Sequence, residues 1–176
     1  VMAPMGTTGL VELDGRYSQR GIDYFAARAK GGVGLIETGL IVADVEIEKR
    51  AWGPWSGYPR ADSPVYIARL NELADAIHEY GAKIAAQLTA GLGRVARGSI
   101  VNMGWAIAPS PQPCFWNPNV IARGLTTEEV EKLVRASGAS AAIVKMAGFD
   151  AIELHGHEGY LLDQFMTSKW NQRNDQ

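Results

Sequence analysis

Apolar residues along this chain fall into two alternating rhythms. Val1-Met2-Ala3-Pro4-Met5, Val33-Gly34-Leu35-Ile36-Glu37-Thr38, Lys83-Ile84-Ala85-Ala86-Gln87-Leu88 and Ala151-Ile152-Glu153-Leu154 are short, nearly continuous apolar runs. Strands of a parallel sheet covered on both faces read this way. Between them, apolar side chains recur at helical spacing. Ile22, Phe25, Ala26 and Ala29 do so within Ser18 to Lys30, and Ile67, Leu70, Leu73, Ala74 and Ile77 do so after Ser63-Pro64. A serine N-cap with proline at the first helical position is a helix start. Thr126 and Glu129 form a capping box for a third helix reaching about Ala147. Gly31-Gly32, Gly81 and Gly148 stop the three helices. Tyr160 to Met166 is a further short apolar stretch. Two long loops are expected, from about Ala43 to Asp62 and from about Thr89 to Leu125. The second carries Pro109, Pro111, Pro113 and Pro118, so no regular element is expected in it.

The order β-α-β-α-β-α-β calls for a parallel sheet with right-handed crossovers. A doubly wound sheet would hold its ligand at a glycine-rich first turn. A barrel places chemistry at the C-terminal ends of several strands. Polar, glycine-rich and aromatic residues follow every strand here: Gly6-Thr7, Thr38-Gly39, Gln87 to Arg94 and His155 to Tyr160. The pattern therefore predicts an α/β fold of the (β/α)8 TIM barrel type. Such a barrel needs about 250 residues, so 176 hold about the first four βα units as one domain. The chain opens inside an apolar run with Val1, as if a segment preceded it.

Composition narrows the function. At 47% hydrophobic and 20% charged, the chain is not of the disordered class. With 17 basic and 19 acidic residues and no Lys/Arg run, neither nucleic acid nor an acidic membrane surface is an expected partner. Cys114 is the single cysteine, which rules out an internal disulfide or an all-cysteine metal site within these residues. It fits a reducing cytoplasm. No apolar run reaches transmembrane length, and the first residues lack the features of a signal peptide.

The densest polar run is His155-Gly156-His157-Glu158-Gly159-Tyr160, directly after a strand. His-x-His with no third ligand at diagnostic spacing argues against a metal site. A histidine at a strand end can donate to a carbonyl or enolate oxygen. A nearby tyrosine can protonate carbon in a water-poor site. Gly159 lets the chain bend so that Tyr160 turns back into the pocket. Gln87 interrupts an apolar strand, and its amide offers a donor and an acceptor together, as a planar heterocycle requires. A satisfied buried glutamine explains it equally well. Cys114, Phe115, Trp116, Trp52 and Trp55 read as packing residues, and His78 as structural or solvated.

The segments Gln87-Leu88-Thr89-Ala90-Gly91-Leu92-Gly93-Arg94, Ala147-Gly148-Phe149-Asp150, His155 through Phe165 and Asn171-Gln172-Arg173-Asn174-Asp175 resemble the old yellow enzyme superfamily of flavin oxidoreductases. They are most similar to its iron–sulfur branch of 2,4-dienoyl-CoA reductase, 2-enoate reductase and the bile-acid-inducible oxidoreductases. The resemblance covers essentially the whole chain and implies the N-terminal half, 1–176, of an FMN-binding barrel. It implies NAD(P)H-dependent reduction of an activated C=C bond in an enoate or enoyl-CoA. Pro4, Met5 and Gly6 would touch FMN through their backbone, Gly39 and Leu40 would lie near its polar edge, and Gln87 would bond its pyrimidine part. Tyr160 would protonate the substrate's α-carbon, and His155 would hold its carbonyl. His157 and Glu158 would line the substrate. Gly6 stands where many members carry Thr or Cys, with Thr7 beside it. Glu158 stands where the family often has a second donor, and an ionised carboxylate cannot donate. The later flavin-phosphate strands, a 4Fe–4S cluster, FAD and the NAD(P)H-binding domain would belong to a longer protein, for which a homo-oligomer is open. The alternatives are an amine dehydrogenase or demethylase on the same scaffold, a catalytically inert barrel fragment with exposed sheet edges, and, more distantly, a metal-dependent hydrolase using His155 and His157.

Overall fold

The structure is a computed structural model that describes residues 1–6, 9–48 and 57–175. Its strands are β1 (Leu35–Val42), β2 (Lys83–Thr89), β3 (Ile107–Ala108), β4 (Gln112–Pro113), β5 (Ile121–Gly124) and β6 (Ala151–Leu154). Its α-helices are α1 (Gln19–Lys30), α2 (Ile67–His78), α3 (Ser99–Asn102), α4 (Thr127–Met146) and α5 (Leu161–Phe165).

The main sheet is parallel, in the order β1-β2-β6. Met2 adds to the free side of β1, donating its N–H to Leu35 O at 2.8 Å while its carbonyl accepts from Glu37 N at 3.0 Å. Order in space thus equals order in the chain. A doubly wound sheet would reverse direction at a switch point, and no reversal occurs among the described residues. The connections α1, α2 and α4 cover one face. Ile36, Ile84, Ala86 and Leu88 bury there against Phe25, Leu73, Ile77 and Val144. Side chains alternate along a strand, so Glu37, Gln87 and Glu153 belong to the opposite, inner face.

Each helix follows its local chemistry. Ser18 caps α1 by accepting from Gly21 N. Thr126 and Glu129 exchange the capping-box bonds at the start of α4, at 3.2 and 3.0 Å. At the second helix, Ser63 makes no side-chain cap, and Pro64–Tyr66 forms a 3-10 turn before α2 begins. Gly81 (φ +72°) and Gly148 (φ +90°) take the left-handed conformation that ends a helix.

Three departures from expectation have physical causes. The first strand contracts to the single bridge at Met2. β1 runs on to Val42 because an irregularity between Glu37 and Leu40 absorbs Thr38 and Gly39 without breaking the pairing. The proline-rich loop contains a small sheet, β3-β5-β4, with β3 parallel and β4 antiparallel to β5. Proline is tolerated there because Pro113 sits on an edge strand, where a missing donor breaks no interior ladder. The C-terminal residues fasten this small sheet: Gln172 N donates to Ser110 Oγ at 2.9 Å and Arg173 Nη1 to Pro109 O at 3.1 Å. Thr7, Trp52 and Trp55 lie outside the described residues.

Candidate active site

The run after β6 is shaped by two consecutive left-handed residues, Glu158 (φ +59°) and Gly159 (φ +77°). A non-glycine residue in this region is strained. Together they reverse the chain, so that Tyr160 N donates to His157 O at 3.2 Å. Asp163 and Gln164 hold the reversal, accepting from Gly159 N and donating to Gly159 O, each at 2.7 Å.

His155 continues the register of β6, donating its N–H to Leu88 O at 2.9 Å. It is 3% exposed. Its Nδ1 is buried without a hydrogen-bond partner among the described residues. Burial, reinforced by His157, pushes the imidazole down to about 4, so the ring is neutral at pH 7. The Tyr160 ring lies 4.4 Å from the His155 ring, and the His157 ring lies 4.3 Å from it. Burial pushes the Tyr160 phenol up, with Tyr58 and Glu158 adding to this against Arg97, so the hydroxyl keeps its proton. A neutral donor and a protonated phenol thus stand side by side at one strand end.

Gln87 is 3% exposed and sits opposite both Leu40 and Glu153. Its Nε2 donates to Glu153 Oε1 at 3.0 Å, and its backbone N–H donates to Thr38 Oγ1 at 3.3 Å. Gly39 is pressed against the first segment: a Cβ there would lie 1.8 Å from the carbonyl oxygen of Met5. Only glycine allows that approach. Met5 and Gly6 are exposed and Pro4 is partly buried. Gln87 and the histidine cluster are joined through Glu153, whose Oε1 lies 3.7 Å from His157 Nε2. A buried amide, a flush glycine and the apolar Leu40 are a donor set and a contour that suit the edge of a flat heterocycle.

Glu158 is exposed, yet its carboxylate lies with ligand atoms of His155 and His157 in a group whose members are within 4.8 Å of one another. The third donor that linear spacing did not reveal is therefore present in space. His78 is structural: it pairs with Asp150 at 2.7 Å. Cys114 is buried among apolar neighbours, whereas Phe115 and Trp116 are each 54% exposed and stack edge to face.

Two supporting residues escaped sequence reading. Gln164 is fully buried; besides holding Gly159, its Oε1 accepts from Arg94 N and Gln112 Nε2, each at 3.4 Å. Glu48, 2% exposed, accepts from Leu92 N at 2.9 Å and Gly93 N at 3.0 Å, and so fixes the loop after β2. Gln164 had a signal, a polar residue one turn into an apolar stretch. Glu48 had none, since a carboxylate in a polar loop looks solvated.

Comparison with known proteins agrees with this architecture. Residues 1–176 match the model of the NADH:flavin oxidoreductase / NADH oxidase family. The chain is 49% identical to a cinnamate reductase of Clostridium sporogenes, covering 100% of this chain and 26% of that protein. It is 42% identical to an NADH oxidase of Thermoanaerobacter brockii, covering 99% of this chain and again 26% of the relative. It spans about a quarter of the length of these relatives. Among solved structures, the old yellow enzyme homologue of Zymomonas mobilis superposes with a TM-score of 0.78 at 25% identity, covering 99% of this chain and 48% of that one. The sequential parallel sheet is thus the first half of a (β/α)8 barrel, and the chain belongs to the NADH:flavin oxidoreductase / NADH oxidase family.

Proposed function

We propose that this chain is the proton-donor half of an FMN-dependent oxidoreductase that reduces an activated C=C bond. The observation that carries the reading is the orphaned Nδ1 of buried His155 beside a protonated Tyr160. An unpaired buried polar atom is costly unless a ligand completes it. With its proton on Nδ1, neutral His155 donates to the substrate's carbonyl oxygen and draws electron density from the conjugated bond. Tyr160 then gives its proton to the α-carbon. Pro4, Met5 and Gly6 through their backbone, with Gly39, Leu40 and Gln87, would hold the flavin. When bound, FMN supplies the hydride for the β-carbon, having received it from NAD(P)H. His157 and Glu158 border the substrate, and Glu158, which cannot donate while ionised, orients its neighbours.

The substrate class is an α,β-unsaturated acid or its thioester, in keeping with the cinnamate reductase relative. Residues 1–176 would form the N-terminal half of the FMN domain. A 4Fe–4S cluster, FAD, a cytoplasmic location and a homo-oligomeric state belong to the same proposal for the full-length protein. The test is Tyr160→Phe in that protein. Flavin reduction by NAD(P)H should be unchanged, while enoate reduction falls roughly 10²- to 10⁴-fold, the range of general acid catalysis. Unchanged enoate turnover would remove Tyr160 from the mechanism. Turnover of amines in place of enoates would favour the amine dehydrogenase reading. The three clustered donors favour a second reading, a metal site, and stoichiometric zinc by elemental analysis would support it.

A further inference from the structure

Gln164 is fully buried and grips the backbone on both sides of Tyr160. Its Nε2 donates to Gly159 O at 2.7 Å, and its backbone N–H donates to Tyr160 O at 3.0 Å. Tyr160 N donates to His157 O at 3.2 Å. Both peptide planes flanking the Tyr160 Cα are therefore held, and backbone dihedrals decide which side-chain rotamers are open. The far side of the amide is held by another part of the chain. Gln164 Oε1 accepts from Arg94 N and from Gln112 Nε2, each at 3.4 Å. Gly93 lies flush against the amide, where a Cβ would stand 2.3 Å from Gln164 Nε2. The Gly93 N–H in turn donates to buried Glu48 at 3.0 Å. One path of contacts thus runs from Glu48 through Gly93 and Gln164 to the peptide that leads into Tyr160.

The turn needs such a clamp. Glu158 sits at φ +59°, and a non-glycine residue persists there only where its surroundings over-determine it. The other side-chain bond to the turn, from Gly159 N to Asp163 Oδ2, comes from α5 and joins the turn only to its own helix. Gln164 joins it to the loop after β2 and to β4.

We propose that Gln164 is a positioning residue for the proton transfer: clamped on Gly93, it fixes the Gly159–Tyr160 peptide and so the place of the Tyr160 phenol beside His155. The inference rests on the reading that Tyr160 is the proton donor. The clamp needs a group that donates on one side and accepts on the other. An amide does both, and so does a protonated carboxyl, but an ionised carboxylate only accepts. A displacement of about 1 Å at a reacting group can cost about 10²-fold in rate.

The test uses the full-length, FMN-loaded protein with Gln164→Met, Gln164→Glu and Gln112→Leu variants. In Q164M, enoate-dependent reoxidation of the reduced flavin should slow by roughly 10- to 100-fold. The loss should fall on kcat more than on KM, and the solvent deuterium isotope effect should rise as proton transfer becomes limiting. Flavin reduction by NAD(P)H, which takes no proton from Tyr160, should slow far less. Amide exchange at Gly159 and Tyr160, measured without substrate, should quicken. Q164E should be rescued at low pH, while its carboxyl is neutral, and should fall to the Q164M rate as the pH rises and that carboxyl ionises. Burial and the nearby carboxylates of Glu48 and Asp163 raise the pH of that fall, and Arg94 lowers it; β3 and β4 bring only neutral residues. The wild type should lack this additional fall. Q112L removes one donor to Gln164 Oε1 and should move the same rate and isotope effect by a smaller factor.

A pH profile of Q164E parallel to that of Q164M would overturn the proposal. So would equal losses in both half-reactions with an unchanged isotope effect, the mark of a merely structural residue. If neither position-164 variant folds, Q112L decides, and an isotope effect there equal to the wild type's would overturn it. Tyr160→Phe separates the two readings. Unchanged enoate turnover in Y160F sinks the proton donor, whereas a slow Y160F beside unaffected position-164 variants sinks the clamp alone.

Discussion

His155 couples the pH response of the molecule to its chemistry. Its folded pKa of about 4 lies below the ordinary 6.5, so folding favours the neutral ring. The stability this contributes is fully present above pH 6.5 and is lost as the pH falls from there toward 4. Denaturant midpoints measured between these values should drop in the wild type and drop less in His155→Gln. Gly39 makes a second prediction at this scale. In Gly39→Ala the new methyl would meet the Met5 carbonyl at 1.8 Å. The Pro4–Gly6 segment must then leave β1, and FMN titration of the full-length variant should show weakened binding with helix content unchanged. Sequence reading reached some of these residues and not others. Gln87 stood out as a polar side chain in an apolar strand. Glu153 carries the same signal, yet its meaning lies in accepting from Gln87 Nε2 on the neighbouring strand, a pairing that no local pattern encodes. Glu158 was legible as a departure from its family, while its left-handed backbone was not.

Among the elements, Asp150 shows how one side chain joins three of them. It accepts from His78 at the end of α2 and from Lys83 on β2, each at 2.7 Å, and from Ile84 N at 3.0 Å, just ahead of β6. Burial works to raise its carboxyl, but the Lys83, His78 and Ile84 donors outweigh that and hold it well below the ordinary range. A depressed carboxylate stabilises the fold above its unfolded pKa and loses that contribution as the pH falls. Asp150→Asn should therefore cost about 1–2 kcal/mol at neutral pH, a figure held down by the partial exposure of the pair. The gap from wild type in urea titrations should close below about pH 4. The three long helices were legible because periodicity and glycine stops agreed, with side-chain caps formed at α1 and α4 but not at Ser63. β3, β4 and β5 were not: strands of two to four residues are too short for an alternating pattern. The end of β1 was missed because Thr38-Gly39 reads as a turn, whereas the sheet absorbs it as an irregularity.

For the molecule as a whole, the barrel was legible from strand-end chemistry, and the sequential sheet order bears it out. What one side of the sheet lacks is cover. Ile152 and Leu154 on β6 are 40% and 60% exposed. With Leu162, Phe165, Leu133 and Val134 they line an apolar groove of about 690 Å³. Exposed apolar surface of this kind drives association. Residues 1–176 expressed alone should bind an apolar dye and self-associate with rising concentration, and Leu154→Glu should reduce both effects; a monodisperse monomer that leaves the dye dark would contradict this. The sequential order also governs the timetable of synthesis. Each βα unit can dock on the one before it as it leaves the ribosome, since no strand waits for a later one to be inserted between its neighbours. The small sheet β3-β5-β4 is different. Its fasteners, Gln164, Gln172 and Arg173, are made about 50 to 60 residues after β4. In pulse-labelling hydrogen exchange during refolding, amides of β1 and β2 should gain protection before those of β3 to β5. The cluster in which Tyr160 packs with Ala108 and Ala122 would then close last, after the main sheet has set.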